Sequence, residues 1–140
     1  PLTGRFDAGA VIATKFAHYD AAYGLGELEF PGGRLQVASL DMAKGTALRA
    51  HIRARDVSLM IGKPTGSSVL NVFKGRVSGV REEEGPQLDL SIDIGVPLIA
   101  RLTRKSYDKL GLKVGTEVYA MIKAVAIDRR SVGTSKSRSR

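Results

Sequence analysis

Gly45-Thr46-Ala47-Leu48-Arg49-Ala50-His51-Ile52-Arg53-Ala54-Arg55-Asp56-Val57 and Gly115-Thr116-Glu117-Val118-Tyr119-Ala120-Met121-Ile122-Lys123-Ala124-Val125-Ala126-Ile127 read as two copies of one segment. They lie 70 residues apart and share five identities in thirteen positions. In both, the small and apolar residues fall at every second place: Leu48, Ala50, Ile52 and Ala54 in one, Val118, Ala120, Ile122 and Ala124 in the other. A period of two marks a strand with one face buried and one face wet. The offset is half of the 140-residue chain. The whole is therefore read as two strand-rich units of roughly 60 residues each, joined near Gly62 to Gly66. The reading assigns 1–62 to the first unit, 67–130 to the second and 131–140 to a basic tail. Upstream, Gly9-Ala10-Val11 aligns with Gly75-Arg76-Val77, and Leu28 with the neighbourhood of Leu88.

Outward from the repeat, most of the chain is short strands punctuated by Gly and Pro. Gly9 to Phe16 is rich in alanine and β-branched residues, Gly24 to Phe30 carries Leu28 and Phe30 on one face, and Arg34 to Val37 alternates. Gln87-Leu88-Asp89-Leu90-Ser91-Ile92-Asp93-Ile94 alternates most strictly, with its polar face expected in water. One segment breaks the period. Thr103 is suited to cap a helix, Tyr107 and Leu110 follow at helical spacing, and Gly111 stops it. The fold class is all-β, two tandem small barrels of the oligonucleotide/oligosaccharide-binding (OB) type with one short helix. Units this small bury little core alone, so the halves are expected to pack together or to pair with a second chain.

Composition narrows the function. The chain is 43% hydrophobic and 26% charged, as a globular protein is. No run reaches the roughly 18 apolar residues of a membrane span, so direct membrane insertion is not expected. The opening Pro1-Leu2-Thr3-Gly4-Arg5 has neither an apolar leader nor an initiator Met, which reads as no signal peptide and a fragment or processed chain. The chain has no cysteine, which removes disulfides, thiolate metal sites and a Cys nucleophile. With His18 and His51 alone, no multi-histidine metal centre is expected. The net charge of +8 invites a nucleic-acid reading. However, residues 1–62 carry one excess cation, 63–128 two, and 129–140 five. The globular part is nearly neutral, and the tail is expected to be disordered. Four Phe, four Tyr and no Trp are scattered rather than arranged as stacking platforms, so nucleic acid is not an expected partner.

Enzyme motifs are missing. No G-x-x-x-x-G-K-[ST] loop, G-x-S-x-G elbow or H-E-x-x-H helix occurs, and the chain is not expected to be an enzyme or to bind nucleotide. His51 and Asp56 fall on opposite faces of an extended strand, which disfavours an acid–base pair. His18 sits in the turn-like His18-Tyr19-Asp20, and Glu82-Glu83-Glu84 precedes Gly85-Pro86 as a solvated hairpin loop. Gly66-Ser67-Ser68-Val69-Leu70-Asn71 is different. It places two hydroxyls, a carboxamide and exposed backbone N–H groups just before a strand, a donor set suited to a small oxyanion. Lys123 would supply positive charge if the last strand pairs near this turn. The competing reading is a loop capped by its serines and a solvated lysine.

The segment Gly66-Ser67-Ser68-Val69-Leu70-Asn71-Val72-Phe73-Lys74-Gly75-Arg76-Val77 resembles the opening of a molybdate-binding Mop domain, which often reads S-A-R-N-x-L-x-G-x-V. Ala120-Met121-Ile122-Lys123-Ala124 resembles that family's A-x-I-K-[SA] strand, and Leu110-Gly111-Leu112-Lys113-Val114-Gly115 its L-G-[LV]-x-x-G turn. Upstream, Asp20-Ala21-Ala22-Tyr23-Gly24-Leu25 and Ile52-Arg53-Ala54-Arg55-Asp56-Val57-Ser58-Leu59 resemble the C-terminal half of the ATP-binding subunit of molybdate ABC transporters. The likeness spans roughly residues 8–130.

The resemblance implies tandem TOBE/Mop domains that bind molybdate or tungstate, pair as a homodimer and regulate a transporter ATPase. The membrane subunit would be reached through an ATPase domain outside this chain, at the cytoplasmic face of the inner membrane. By position, Ser68 matches the oxyanion-contacting serine, Asn71 the motif's asparagine and Lys123 the lysine near the anion. Leu70 stands where many members have arginine, and Ala124 where many have serine; there only backbone N–H groups remain to donate. The resemblance thus implies a site of Ser68, Leu70, Asn71, Lys123 and Ala124. The alternatives are a dimerisation and docking module whose ligand site has decayed and, less favoured by the scattered aromatics, an OB-type nucleic-acid-binding protein.

Overall fold

The computed structural model describes residues 8–82 and 84–128. The expectations for the N-terminal five residues, for Glu83 and for the basic tail lie outside the described residues. Ten strands run in chain order: β1 (Gly9–Asp20), β2 (Leu25–Phe30), β3 (Gly33–Ala38), β4 (Ala47–Arg53), β5 (Val57–Met60), β6 (Asn71–Arg81), β7 (Gln87–Asp93), β8 (Pro97–Thr103), β9 (Glu117–Ile122) and β10 (Ala126–Asp128). A 3-10 turn, Ala54–Asp56, links β4 to β5, and one helix, α1 (Arg104–Leu110), follows β8. The architecture is all-β with one short helix, as the alternation predicts.

Two five-stranded sheets result. Sheet 1 has the order β10-β4-β1-β2-β3, and sheet 2 the order β5-β9-β6-β7-β8. Each is built round an antiparallel meander that begins with a long strand, β1 in one and β6 in the other. Both long strands carry a register shift, at Phe16/His18 and at Val77/Gly79. The backbone bonding also repeats. Phe16 N donates to Thr46 O, and Gly45 N to Phe16 O, both at 2.8 Å. Val77 N donates to Thr116 O at 3.0 Å, and Gly115 N to Val77 O at 2.8 Å.

This bonding corrects the upstream alignment. Phe16, not Val11, is the counterpart of Val77. Leu28, paired with Phe16, corresponds to Ile92, paired with Val77, rather than to Leu88. The single offset of 70 fails there because the second copy carries α1 between its meander and its last strand.

The repeat also ends differently from the unbroken strands that its periodicity predicts. Leu48, Ala50 and Ile52 are buried in β4, and Val118, Ala120 and Ile122 in β9. Ala54 remains buried within the 3-10 turn, whereas Ala124 is exposed. The chain leaves sheet 2 after Ile122, where Lys123 N donates to Asp56 O at 2.8 Å, and joins sheet 1 at Ala126. Each copy thus gives its last strand to the other copy's sheet: β5 pairs with β9, and β10 with β4. The compact units are accordingly not consecutive halves. Among the described residues, one contains 8–10 and Ile52–Ala124, the other Val11–His51 and 125–128.

Local chemistry explains the remaining elements. Thr103 is the N-cap of α1, its Oγ1 accepting from Ser106 N at 3.0 Å. Gly111 closes the helix in the left-handed region at φ 64°, where a side chain costs energy. No residue of α1 is buried, so its Tyr107 and Leu110 do not serve as a core stripe. In sheet 2, Leu88, Leu90, Ile92 and Ile94 are buried as the alternation predicts. Asp89, expected in water, is only 5% exposed. Its carboxylate accepts from Arg101 Nε at 2.9 Å and Nη2 at 3.1 Å, which offsets the cost of removing it from water. Gly75 is required by close packing: a Cβ there would lie 2.6 Å from Asp93 O.

Candidate functional site

The residues singled out for oxyanion binding lie in the unit built on sheet 2. Asn71 opens β6 and is paired in register with Ile122, the last residue of β9. On the other side of β9, Ile122 is paired with Val57 of β5. The turn before β6 and the segment after β9 therefore emerge at the same end of adjacent strands. This brings Ser68, Leu70 and Asn71 to the end of the sheet where Lys123 and Ala124 leave it.

The turn is shaped by its own serine. Ser67 Oγ accepts from Val69 N at 3.0 Å, a local bond that fixes the turn and leaves the hydroxyl proton to donate elsewhere. Ser68 is exposed, so its hydroxyl faces solvent. Leu70 is 59% exposed, an apolar side chain in water at the place where the resemblance leads one to expect a guanidinium. Asn71 is 9% exposed and anchors the turn to the sheet. Lys123 and Ala124 are exposed. The backbone N–H of Lys123 is spent on Asp56 O, so what Lys123 offers a ligand is its ammonium group.

The surroundings are ionic but largely paired. Lys74 Nζ lies 2.9 Å from Glu117 Oε2. This hydrogen bond lowers the Glu117 carboxyl below its usual range and raises the Lys74 ammonium. Arg53 Nε donates to Asp56 Oδ2 at 2.9 Å, so the carboxylate nearest the Lys123 amide contact carries its own counter-charge. That pair also shows why His51 and Asp56 form no acid–base couple. His51 Nε2 lies instead 3.7 Å from Asp128 Oδ2, on the strand that the second copy contributes.

Two cavities lie elsewhere. One of about 260 Å³ is lined by Ala8, Gly9, Arg81, Asp89, Leu90, Ser91 and Ile99. The other, about 440 Å³ and open, is lined by Lys15, Glu29, Phe30, Gly33 and Arg34. Neither includes a predicted oxyanion residue. The role of Asp56 was missed by sequence reasoning, because a backbone carbonyl leaves no signature in residue type.

Residues 67–128 match the model of the TOBE domain. Along nearly all its length the chain is similar to proteins described as molybdenum import ATP-binding protein ModC. The protein from Mesorhizobium japonicum is 38% identical over 134 residues, 95% of this chain and 36% of the relative. ModC 1 of Azotobacter vinelandii is 44% identical over 130 residues, 91% of this chain and 36% of the relative. The chain thus spans about a third of the length of the curated relatives it matches. Among solved structures, the cytoplasmic molybdate-binding protein ModG, in a PEG-grown form with molybdate bound, superposes with a TM-score of 0.70 at 22% identity. That match covers 84% of this chain and 94% of the other, and shows a shared OB-like fold. No helix among the described residues is long and apolar enough to cross a membrane.

Proposed function

We propose that this chain is the regulatory, oxyanion-binding part of a molybdate-import ATPase, with molybdate or tungstate as its ligand. The observation that supports the reading is the register of Asn71 against Ile122, by which the chain before β6 and the chain after β9 leave adjacent strands at the same end. The names of the ModC relatives and the molybdate held by ModG support the ligand class.

In this reading a tetrahedral dianion is held by the Ser68 hydroxyl, the Asn71 carboxamide, backbone N–H groups at Leu70 and Ala124, and the ammonium group of Lys123. No proton moves and no metal oxidation state changes. Selection against sulfate rests on cavity size, because the two ions share charge and acceptor geometry. The chain pairs as a homodimer, meets the membrane subunit through ATPase sequence outside these residues, and works at the cytoplasmic face of the inner membrane. Occupancy slows import when molybdate accumulates, which requires unequal anion affinity in the two transporter states. Equal ATPase rates of the whole transporter with and without millimolar molybdate would sink this feedback.

The direct test is calorimetric titration of the chain with molybdate, with sulfate as the control and size-exclusion chromatography alongside. Micromolar binding of molybdate without sulfate binding is the expected result. A stable dimer with no heat for either ion would instead favour a docking module, a reading supported by the exposed apolar Leu70 and the absence of a side-chain donor at Ala124.

A further inference from the structure

The two strands that the repeats exchange are the shortest in their sheets, and each lies at a sheet edge. β5 has four residues and ends sheet 2; β10 has three and ends sheet 1. Each is bonded to one neighbour only, and strands this short open locally at low free energy. Each is also entered through a three-residue connection, 54–56 before β5 and 123–125 before β10. These connections meet in one hydrogen bond, from Lys123 N to Asp56 O at 2.8 Å. The first is further secured by the Arg53–Asp56 ion pair and by Ala54 N donating to Ala8 O at 2.9 Å. The second exposes Lys123 and Ala124, two of the residues assigned to the oxyanion.

We propose that an oxyanion bound beside Lys123 clamps the lead-ins of both exchanged strands, so that occupancy tightens β5 and β10 together. The inference rests on the oxyanion reading above and adds what binding does to the fold. An anion that spans the Ser68–Asn71 turn and the 123–125 connection requires that connection to be in place. A ligand that binds only the closed form suppresses opening in proportion to its saturation, about 100-fold at 100 times its Kd. Through three residues of chain, at most roughly 10 Å, the restraint reaches β10. Through the Asp56 carbonyl it reaches β5.

Amide hydrogen exchange on the whole chain tests this, with and without molybdate at saturation fixed by calorimetry, and with sulfate as the control. Amides in Val57–Met60 and Ala126–Asp128 should slow by at least about tenfold, while those of the β2–β3 hairpin stay unchanged. The Lys123→Met variant should lose both the heat and the slowing, yet keep the exchange pattern of β2 and β3. Heat of binding with no slowing in either strand would overturn this inference alone. Absence of heat would overturn the oxyanion reading and this inference with it. Slowing in β10 without β5 would also overturn it, since the Asp56 bond would then transmit nothing.

Discussion

Asp89 on β7 and Arg101 on β8 face each other in register and share two hydrogen bonds, at 2.9 and 3.1 Å. The carboxylate side chain is 7% exposed and the guanidinium 20%, so water screens the pair poorly. Truncating one partner leaves the other charge with little water to replace it. Asp89→Ala should lower the stability of the chain by about 3 kcal/mol in urea unfolding. A change within the roughly 0.5 kcal/mol expected of an ordinary surface substitution would show that the pair is hydrated in solution.

Gly75 and Gly79 lie on the same strand but should respond oppositely to alanine. A Cβ at Gly75 meets Asp93 O at 2.6 Å and Ile94 Cγ2 at 2.9 Å. At Gly79 the nearest atoms, on Ser91, are 3.7 Å away, ordinary contact. Gly75→Ala should cost about 1–3 kcal/mol through overpacking. Gly79→Ala should be neutral or gain up to about 1 kcal/mol by removing freedom from the unfolded chain. Paired thermal melts of the two variants decide it.

The cap of α1 is a local prediction. Thr103→Ala removes the acceptor for Ser106 N and should destabilise by about 1 kcal/mol. Thr103→Ser keeps an acceptor at the same place and should recover most of the loss. Because α1 buries none of its residues, loss of the cap should show as faster exchange in the helix before it shows in the global melt.

The exposed Lys74–Glu117 pair sets a shallow pH dependence. Glu117 is lowered in the fold, so its contribution is present above the unfolded carboxyl value of about 4.3 and fades as pH falls through the lower folded value. Lys74 is raised, so its contribution is full below about 10.4 and fades as pH climbs through the higher folded value. The melting difference between the chain and Glu117→Gln should be small and level from about pH 5 to 10, and narrow at either end. A difference that grows in acid would contradict the sign.

The departures at Leu70 and Ala124 give a gain-of-affinity experiment. Leu70 is exposed, so an arginine there has room. Each restored side-chain donor is worth roughly 1.5–3 kcal/mol against a charged partner. Leu70→Arg and Ala124→Ser should each tighten molybdate binding by about tenfold or more in calorimetry. Unchanged affinity in both would place the anion away from this turn.

Much of this fold is legible in residue order. Alternation over Leu48–Ile52 and Leu88–Ile94 marks strands that are buried on the expected face, and Thr103 with Gly111 brackets the helix. What period and propensity do not carry is which sheet a strand joins. Val57–Met60 and Ala126–Asp128 look like continuations of β4 and β9, because side-chain alternation is blind to the strand's neighbour. The burial of Asp89 is not carried by the alternation for a related reason: its partner Arg101 is twelve residues away, across a hairpin whose register is fixed only in three dimensions. For the candidate site, the residue types of the Ser68–Asn71 turn and Lys123 are readable in sequence, and their shared end of the sheet follows from the pairing of Asn71 with Ile122.

The crossing of β5 and β10 has a historical consequence. Once a duplicated segment lends its last strand to its sister and takes one in return, neither copy can be discarded without leaving the survivor short of a strand and with a raw edge. Such an exchange works as a ratchet. The two copies are free to diverge in sequence, but they are inherited together.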